Sequence, residues 1–308
     1  MDGIGRGRHN AAPVPESGKK GRLLVVGTPI GNLEDLSPRA VAALSESDAI
    51  FCEDTRVTAK LAARFGLAAA RISCPAPRER SRVDELLRRL TAGESVALVS
   101  DAGMPALSDP GERLVAAASA AGFPVLIVPG PSAPAAALAL SGLPAVPHLF
   151  LGFLPARAGE RSRFLEAVHQ RTETLVWFAA PHRVADSLAD AARVLGPRRA
   201  CVARELTKLH EETLRGTLPE LARTLRARGP ARGEITVVVE GNRAEESSTG
   251  ADDTDEEILR RLAAGEEKRA LARDLAGRTR RPAREIYARA VALGRRETEN
   301  GKGETKAR

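Results

Sequence analysis

At 308 residues with 43% hydrophobic side chains, the chain is long enough for two ordinary domains and an appendage and apolar enough to bury real cores. A formal charge of +7 favours acidic partners, though the excess is modest for this length. Cys52, Cys74 and Cys201 lie far apart without C-x-x-C spacing and no run of 18 apolar residues occurs, so the composition excludes a disulfide framework, a zinc site and a membrane span, and a cytoplasmic protein is expected.

Residues 1–21 carry Gly, Arg, Pro and His without an apolar run and read as a disordered arm, with Arg6, Arg8, Lys19 and Lys20 solvated. Strand-like runs at about 22–26, 48–52, 95–99 and 124–128 then alternate with Ala/Leu-rich helical segments at about 37–46, 56–65, 82–92, 111–121 and 132–141. That alternation predicts an N-terminal α/β domain over 22–143, with a mainly parallel sheet covered by helices. After Leu143-Pro144 the pattern shifts to strands near 149–152, 174–178, 199–204 and 234–240, with helices near 160–169, 182–195 and 217–228. A second α/β domain over 144–241 follows, and its low helix content between about 200 and 216 suits a mixed sheet with antiparallel pairing.

Residues 242–255 are Ser, Thr, Gly and acids, too polar to bury a core, and read as an acidic linker. From Glu256 to Arg308 there are 15 Lys/Arg against 9 Asp/Glu. Ile258, Leu259 and Leu262 share one helical face, Leu271 and Leu275 another, and Ile286, Ala290 and Leu293 a third. Three amphipathic helices with a basic turn at Arg278, Arg280, Arg281 and Arg284 predict a small helix-turn-helix-like module that touches RNA, or else a packing appendage or dimer contact.

Three apolar runs stop abruptly in Gly/Pro loops. Leu23–Val26 opens into Gly27-Thr28-Pro29-Ile30-Gly31-Asn32, Ser95–Val99 into Ser100-Asp101-Ala102-Gly103-Met104-Pro105 with Asp109-Pro110-Gly111 behind it, and Val125–Val128 into Pro129-Gly130-Pro131-Ser132-Ala133. Ligands in open α/β sheets bind beyond the strand carboxyl ends, so the three loops predict one shared pocket. Glu53-Asp54-Thr55-Arg56 places two carboxylates and a guanidinium at the end of another strand, and Arg204-Glu205-Leu206-Thr207-Lys208 does the same in the second domain. Each cluster is either a solvated helix start or a grip on a polar substrate. His182, beside Arg183, is by itself more in keeping with a structural hydrogen bond than with a base. A P-loop, a G-x-G-x-x-G after the first strand, a Ser/His/Asp set and an H-E-x-x-H are all absent, which points to chemistry without a nucleophilic side chain or a metal.

In order, V-G-T-P-I-G-N-L (26–33), E-D-T-R (53–56), S-D-A-G-M-P (100–105), D-P-G (109–111), P-G-P-S-A (129–133), G-F-L-P (152–155), P-H-R (181–183), R-E-L-T-K (204–208) and G-E-I-T-V-V-V-E-G (233–241) resemble the small-subunit ribosomal RNA methyltransferase I family, over about residues 22–241. The resemblance implies the tetrapyrrole-methylase fold, with two α/β domains, S-adenosylmethionine in the cleft between them and a small C-terminal helical module. It implies 2'-O-ribose methylation of a cytidine in 16S rRNA, free or within the small ribosomal subunit, by a homodimer. Carried over by position, Gly27, Thr28, Pro29, Ile30, Gly31, Asp101, Ala102, Gly103, Met104, Ser132 and Ala133 are expected around the cofactor. Asn32, Arg56, His182, Arg183 and Arg204 are expected toward the RNA, and Glu53, Asp54 and Lys208 at the chemistry, with the acids of the E-D-T-R turn as candidate bases. Two departures from the family pattern stand out: Pro75-Ala76-Pro77-Arg78-Glu79 keeps only the final acid of an H-x-H-N-E-like run, and Ala179-Ala180 stands where the family commonly has an acid before the P-H-R turn. The alternatives left open are methylation of a tetrapyrrole or another small molecule, and a non-catalytic RNA-binding or assembly factor with a vestigial cofactor pocket.

Overall fold

The computed structural model describes residues 21–243, 251–279 and 282–303. The N-terminal arm with Arg6, Arg8, Lys19 and Lys20, and the arginines Arg280 and Arg281 of the C-terminal turn, lie outside the described residues. The chain divides into two compact units, Met1–Gly241 and Asn242–Arg308.

The first unit holds two five-stranded sheets. Strands β1 (Arg22–Val26), β2 (Ala49–Cys52), β3 (Ala70–Ser73), β4 (Ser95–Val99) and β5 (Val125–Val128) form an all-parallel sheet in the order β3-β2-β4-β1-β5. Alternate side chains leave opposite faces. Leu24, Val26, Ile50, Cys52, Ala97 and Val99 meet helices α1 (Pro38–Ser45) and α2 (Thr55–Phe65) on one side. On the other, Leu23, Val25, Phe51, Val96 and Leu98 meet α3 (Glu79–Thr91) and α4 (Glu112–Ala120). Burial on both faces is why these strands read as unbroken apolar runs. The parallel sheet agrees with the alternation in the sequence, to which the structure adds β3, an edge strand of alternating Ala, Arg, Ile and Ser that gave no apolar signal.

The second sheet comprises β6 (His148–Phe153), β7 (Thr174–Ala179), β8 (Arg199–Arg204), β9 (Glu212–Thr217) and β10 (Ile235–Val239), in the order β6-β7-β10-β8-β9. Only β6 and β7 run parallel; β10 is antiparallel to both neighbours and β8 to β9. This is the mixed sheet that the sequence called for. One face packs on α6 (Ala158–Val168), α7 (Val184–Leu195) and α8 (Leu218–Ala227) through Leu165, Leu188, Leu221, Trp177 and Val237. The other face receives α5 (Ala133–Ser141), where Ala137 and Leu138 contact Val176, Cys201 and Val238. Helix α5 therefore follows the last strand of the first sheet in sequence yet packs on the second.

In the second unit, α9 (Ala251–Ala263), α10 (Lys268–Thr279) and α11 (Ala283–Gly303) enclose Ile258, Leu271, Leu275, Ile286, Ala290 and Leu293. The three apolar faces expected from the sequence thus share one small core. Helix α9 starts at Ala251, within the stretch expected as linker.

Candidate active site

Because the first sheet is all parallel, the loops after β1, β2, β4 and β5 emerge at one edge. The second sheet adds the residues after β7 and β8. It also adds the residues before β10, since Ile235 pairs in register with both Ala179 and Arg204 and an antiparallel strand begins where its neighbours end. The segments after β1, β4, β5 and β7, with the end of β6 and the start of β10, line a pocket of about 390 Å³, within the range of small-molecule sites.

Seven of the expected cofactor residues line it: Ile30, Asp101, Ala102, Gly103, Met104, Ser132 and Ala133. Gly27, Thr28, Pro29 and Gly31 do not. The backbones of Thr28 and Gly103 exchange hydrogen bonds of 2.8 and 3.2 Å, and the Thr28 hydroxyl donates to the Ser100 carbonyl. Gly27 lies so close to Gly130 and Met104 that a Cβ there would fall 2.6 Å from the Gly130 nitrogen and the Met104 sulfur. The first loop therefore works mainly as a strut that sets the spacing of the other two. Gly31 lies against the 204–208 loop, where a Cβ would come within 2.5 Å of Lys208 Cγ, and the Asn32 N–H donates to Thr207 Oγ1 at 2.9 Å.

Asp101 apart, none of the charged candidates (Glu53, Asp54, Arg56, His182, Arg183, Arg204 and Lys208) lines the pocket. Asp54 caps α2, accepting from the Arg56 N–H at 2.8 Å, and its carboxylate pairs with the exposed Arg56 guanidinium at 2.6 Å. That hydrogen bonding holds the Asp54 carboxyl down at about 2, which makes it a weak proton acceptor. Glu53 is shifted upward by burial and then by its neighbours Asp101 and Asp54. Burial works against the charge of Lys208, but ion pairs with Glu205 at 3.0 Å and Glu234 at 3.4 Å outweigh it and keep the ammonium protonated. Arg204 faces Glu212 at 3.4 Å, His182 is exposed, and Arg183 borders a separate small cavity beside Phe178.

The structure adds wall residues that were not singled out for the site. Leu107 and Asp109 follow the Asp101 loop, Phe153 ends β6, Phe178 to Pro181 end β7, and Gly233 to Thr236 open β10. The D-P-G, G-F-L-P and G-E-I-T stretches were the available signals. Asp109 is the most perturbed of the wall carboxyls: burial, then the negative charge of Glu53, raises it to about 6, with the Ser100 hydroxyl pulling the other way.

The two departures separate cleanly. Ala179 and Ala180 face the pocket, whereas residues 75–79 do not line it. The surviving Glu79 is buried and accepts from the Gly111 N–H at 3.0 Å and the Arg113 N–H at 2.7 Å, which anchors the far end of the Asp101–Gly111 loop. Replacing Glu79 by Ala leaves the buried Gly111 N–H and the partly buried Arg113 N–H unpaired and is expected to cost about 1–3 kcal/mol, with weaker cofactor binding. Thermal melting together with cofactor titration checks this, and an unchanged melting temperature would remove the anchor role.

The lining suits a cationic, nucleoside-sized ligand. Gly103, Ala102, Ala133 and Ala179 leave room for close backbone approach, and Asp101, Asp109 and Glu234 offset positive charge. A family model described as Tetrapyrrole (Corrin/Porphyrin) Methylases matches residues 22–222. The chain belongs to that family, a class of S-adenosylmethionine-dependent methyltransferases. Its fold is shared by the methyltransferase CobJ, with a TM-score of 0.56 at 22% identity over 72% of this chain and 94% of that one. It is also shared by uroporphyrin-III C-methyltransferase from Thermus thermophilus complexed with S-adenosyl homocysteine, with a TM-score of 0.50 at 22% identity over 73% and 98%. Within that class the chain falls in the ribosomal RNA small subunit methyltransferase I family. The Halalkalibacterium halodurans protein of that name is 41% identical over 72% of this chain and 77% of its own length. The Synechocystis protein is 40% identical over 89% and 98%.

Proposed function

We propose that the protein transfers a methyl group from S-adenosylmethionine to the 2'-oxygen of a cytidine in small-subunit ribosomal RNA, in the cytoplasm. The observation that carries this reading is the pocket itself: the loops that hold the first-loop, S-D-A-G-M-P, D-P-G and P-G-P-S-A motifs converge on one small-residue, acid-lined cavity at a shared strand edge. S-adenosylmethionine supplies an electrophilic methyl group on a positively charged sulfur. The chain's own task is to hold donor and ribose in line and to take up the hydroxyl proton. Ile30, Gly103, Met104, Ser132 and Ala133 form the walls for the donor. Gly27 and Thr28 hold those walls at their spacing, and Pro29 and Gly31 carry the same loop on to the 204–208 segment. Asn32, Arg56, His182, Arg183 and Arg204 lie beyond the cavity wall, where phosphates and sugars flanking the target nucleotide would be gripped. Glu53 shapes the field of the wall carboxyls, and Lys208 fixes Glu205 and Glu234.

The test is methylation of naked 16S rRNA and of small subunits by the purified protein, with the product located by alkali-resistant linkages. Methyl on a base would refute the ribose reading. A tetrapyrrole as the better acceptor would favour the small-molecule alternative, and binding without transfer would favour the vestigial one. Among the described residues no helix is long and apolar enough to cross a membrane.

For the homodimer, β5 offers a surface. It is an edge strand whose Leu126 and Ile127 are 46% and 57% exposed, and an open strand edge bearing apolar side chains suits pairing with a second copy. Sedimentation of Ile127→Lys is expected to show a shift toward monomer. The C-terminal unit presents exposed Arg269, Arg273, Arg278 and Arg284, a pattern suited to phosphate contacts. Deleting residues 246–308 is expected to spare cofactor affinity while lowering RNA affinity and flattening its salt dependence. Equal RNA affinity at every salt concentration would make the unit a packing element.

A further inference from the structure

Four carboxylates gather at the strand edge, from three elements: Glu53 after β2, Asp101 and Asp109 after β4, and Glu234 before β10. Their commitments differ. Asp101 Oδ1 accepts the Asp54 N–H at 3.0 Å, Glu234 pairs with Lys208 at 3.4 Å, and Glu53 stands outside the cavity wall. Asp109 faces the cavity, and among the described residues no cationic side chain forms an ion pair with it. Its position is fixed on both sides. Toward the N-terminus the Thr28–Gly103 bridge ties the loop to β1, and toward the C-terminus Glu79 holds Gly111 and Arg113. Between these anchors Ala106 and Ser108 adopt left-handed backbone with φ of 65° and 67°, a costly conformation for residues with a Cβ that persists only where the surroundings impose it. The segment thus spends strain on presenting the side chain between Ser108 and Pro110.

We propose that Asp109 is the proton acceptor for the substrate hydroxyl, an assignment that rests on the ribose-methylation reading above. The 2'-oxygen forms its bond to the methyl carbon while the carbon–sulfur bond breaks and leaves its electron pair on sulfur. The hydroxyl proton passes to the Asp109 carboxylate and from there to solvent. A carboxylate whose affinity for a proton is raised by burial and by Glu53 is a better acceptor than an ordinary surface acid, and a cationic donor in the same cavity favours its ionised form before transfer.

The experiment compares wild type with Asp109→Asn and Asp109→Glu in three readouts: single-turnover methylation of small-subunit rRNA from pH 5 to 8, calorimetric affinity for S-adenosyl homocysteine, and carbon-13 titration of the Asp109 carboxyl. The carboxyl is expected to titrate near pH 6 in the free protein, and the wild-type rate to fall at acid pH around a midpoint lowered from that value by the bound cationic donor. Asp109→Asn is expected to lose roughly 10²–10⁴-fold in rate and the acid limb with it, to keep homocysteine affinity within about threefold, and to regain part of the rate as Asp109→Glu. A rate for Asp109→Asn within about threefold of wild type, a persisting acid limb, a carboxyl midpoint near 4, or loss of homocysteine binding would each overturn the assignment. Methyl found on a base with the wild type would instead refute the ribose reading.

Discussion

Replacing Gly130 by Ala is expected to weaken S-adenosylmethionine binding by roughly ten- to a hundredfold, the equivalent of about 1–3 kcal/mol of overpacking. A Cβ at Gly130 would sit 2.8 Å from the carbonyl carbon and Cα of Gly27, and one at Gly27 would sit 2.6 Å from the Gly130 nitrogen. Both obstacles are backbone, so no rotamer change relieves them and the loops after β1 and β5 must separate. That separation carries Met104 and Ser132 with it, because the Gly130 N–H lies 3.3 Å from the Met104 sulfur and Ser132 is two residues further on. Gly103 provides the contrast: its added Cβ would meet the flexible Ile30 side chain at 3.3 Å, and the penalty there comes from a φ of 81°. Calorimetric titration of Gly130→Ala, with circular dichroism to confirm the fold, settles the matter. Undiminished affinity would mean that the donor does not occupy this pocket.

Asp109→Asn is expected to make the protein more stable at neutral pH while it lowers turnover. The folded-state carboxyl is raised to about 6 from an ordinary value of 3.8, so the folded protein holds the proton more tightly than the unfolded chain does. Stability is therefore lost as pH rises from the unfolded value to about 6 and stays lower above it. A shift of that size corresponds to about 1–3 kcal/mol once the partly open pocket is allowed for. The gain in Asp109→Asn should be absent near pH 4 and complete by pH 7. Melting temperatures at pH 4 and pH 7.5 distinguish this from a packing effect, which would appear equally at both.

Element alternation was legible wherever burial was symmetric. The runs 22–26, 95–99 and 235–239 are walled on both faces and so are apolar throughout save Arg22, Ser95 and Thr236. Strands β3 and β9 escaped notice because each is an edge strand, and Ala-Arg-Ile-Ser and Glu-Thr-Leu-Arg-Gly-Thr bury too little to leave a periodic signal. The Gly/Pro loops that meet at the pocket were legible because such punctuation at a strand end has a local cause. The roles within them were not, because whether Gly27 touches a ligand or Gly130 depends on a loop about a hundred residues away. Charge was legible in the same incomplete way: Asp54 and Arg56 stood out at a strand end, but the sequence alone did not show that two residues apart they pair with each other. Asp109 lay in a quoted motif, and its character comes from Glu53 and burial, neither of which is adjacent in sequence.

The order β6-β7-β10-β8-β9 bears on how the chain is made. Strand β10 is last in sequence, yet it occupies the centre of its sheet, with every residue buried and ladders to β7 on one side and β8 on the other. On a ribosome the first sheet has all its strands once Val128 has emerged, whereas β6 with β7 and β8 with β9 must wait as two half-sheets with open edges until Ile235–Val239 arrives. For a protein made from the N-terminus, that interval exposes Leu175, Val176, Trp177, Cys201 and Val202 together. Truncations ending between residues 205 and 234 should therefore be captured by chaperones or aggregate, while those ending just past Gly241 should fold.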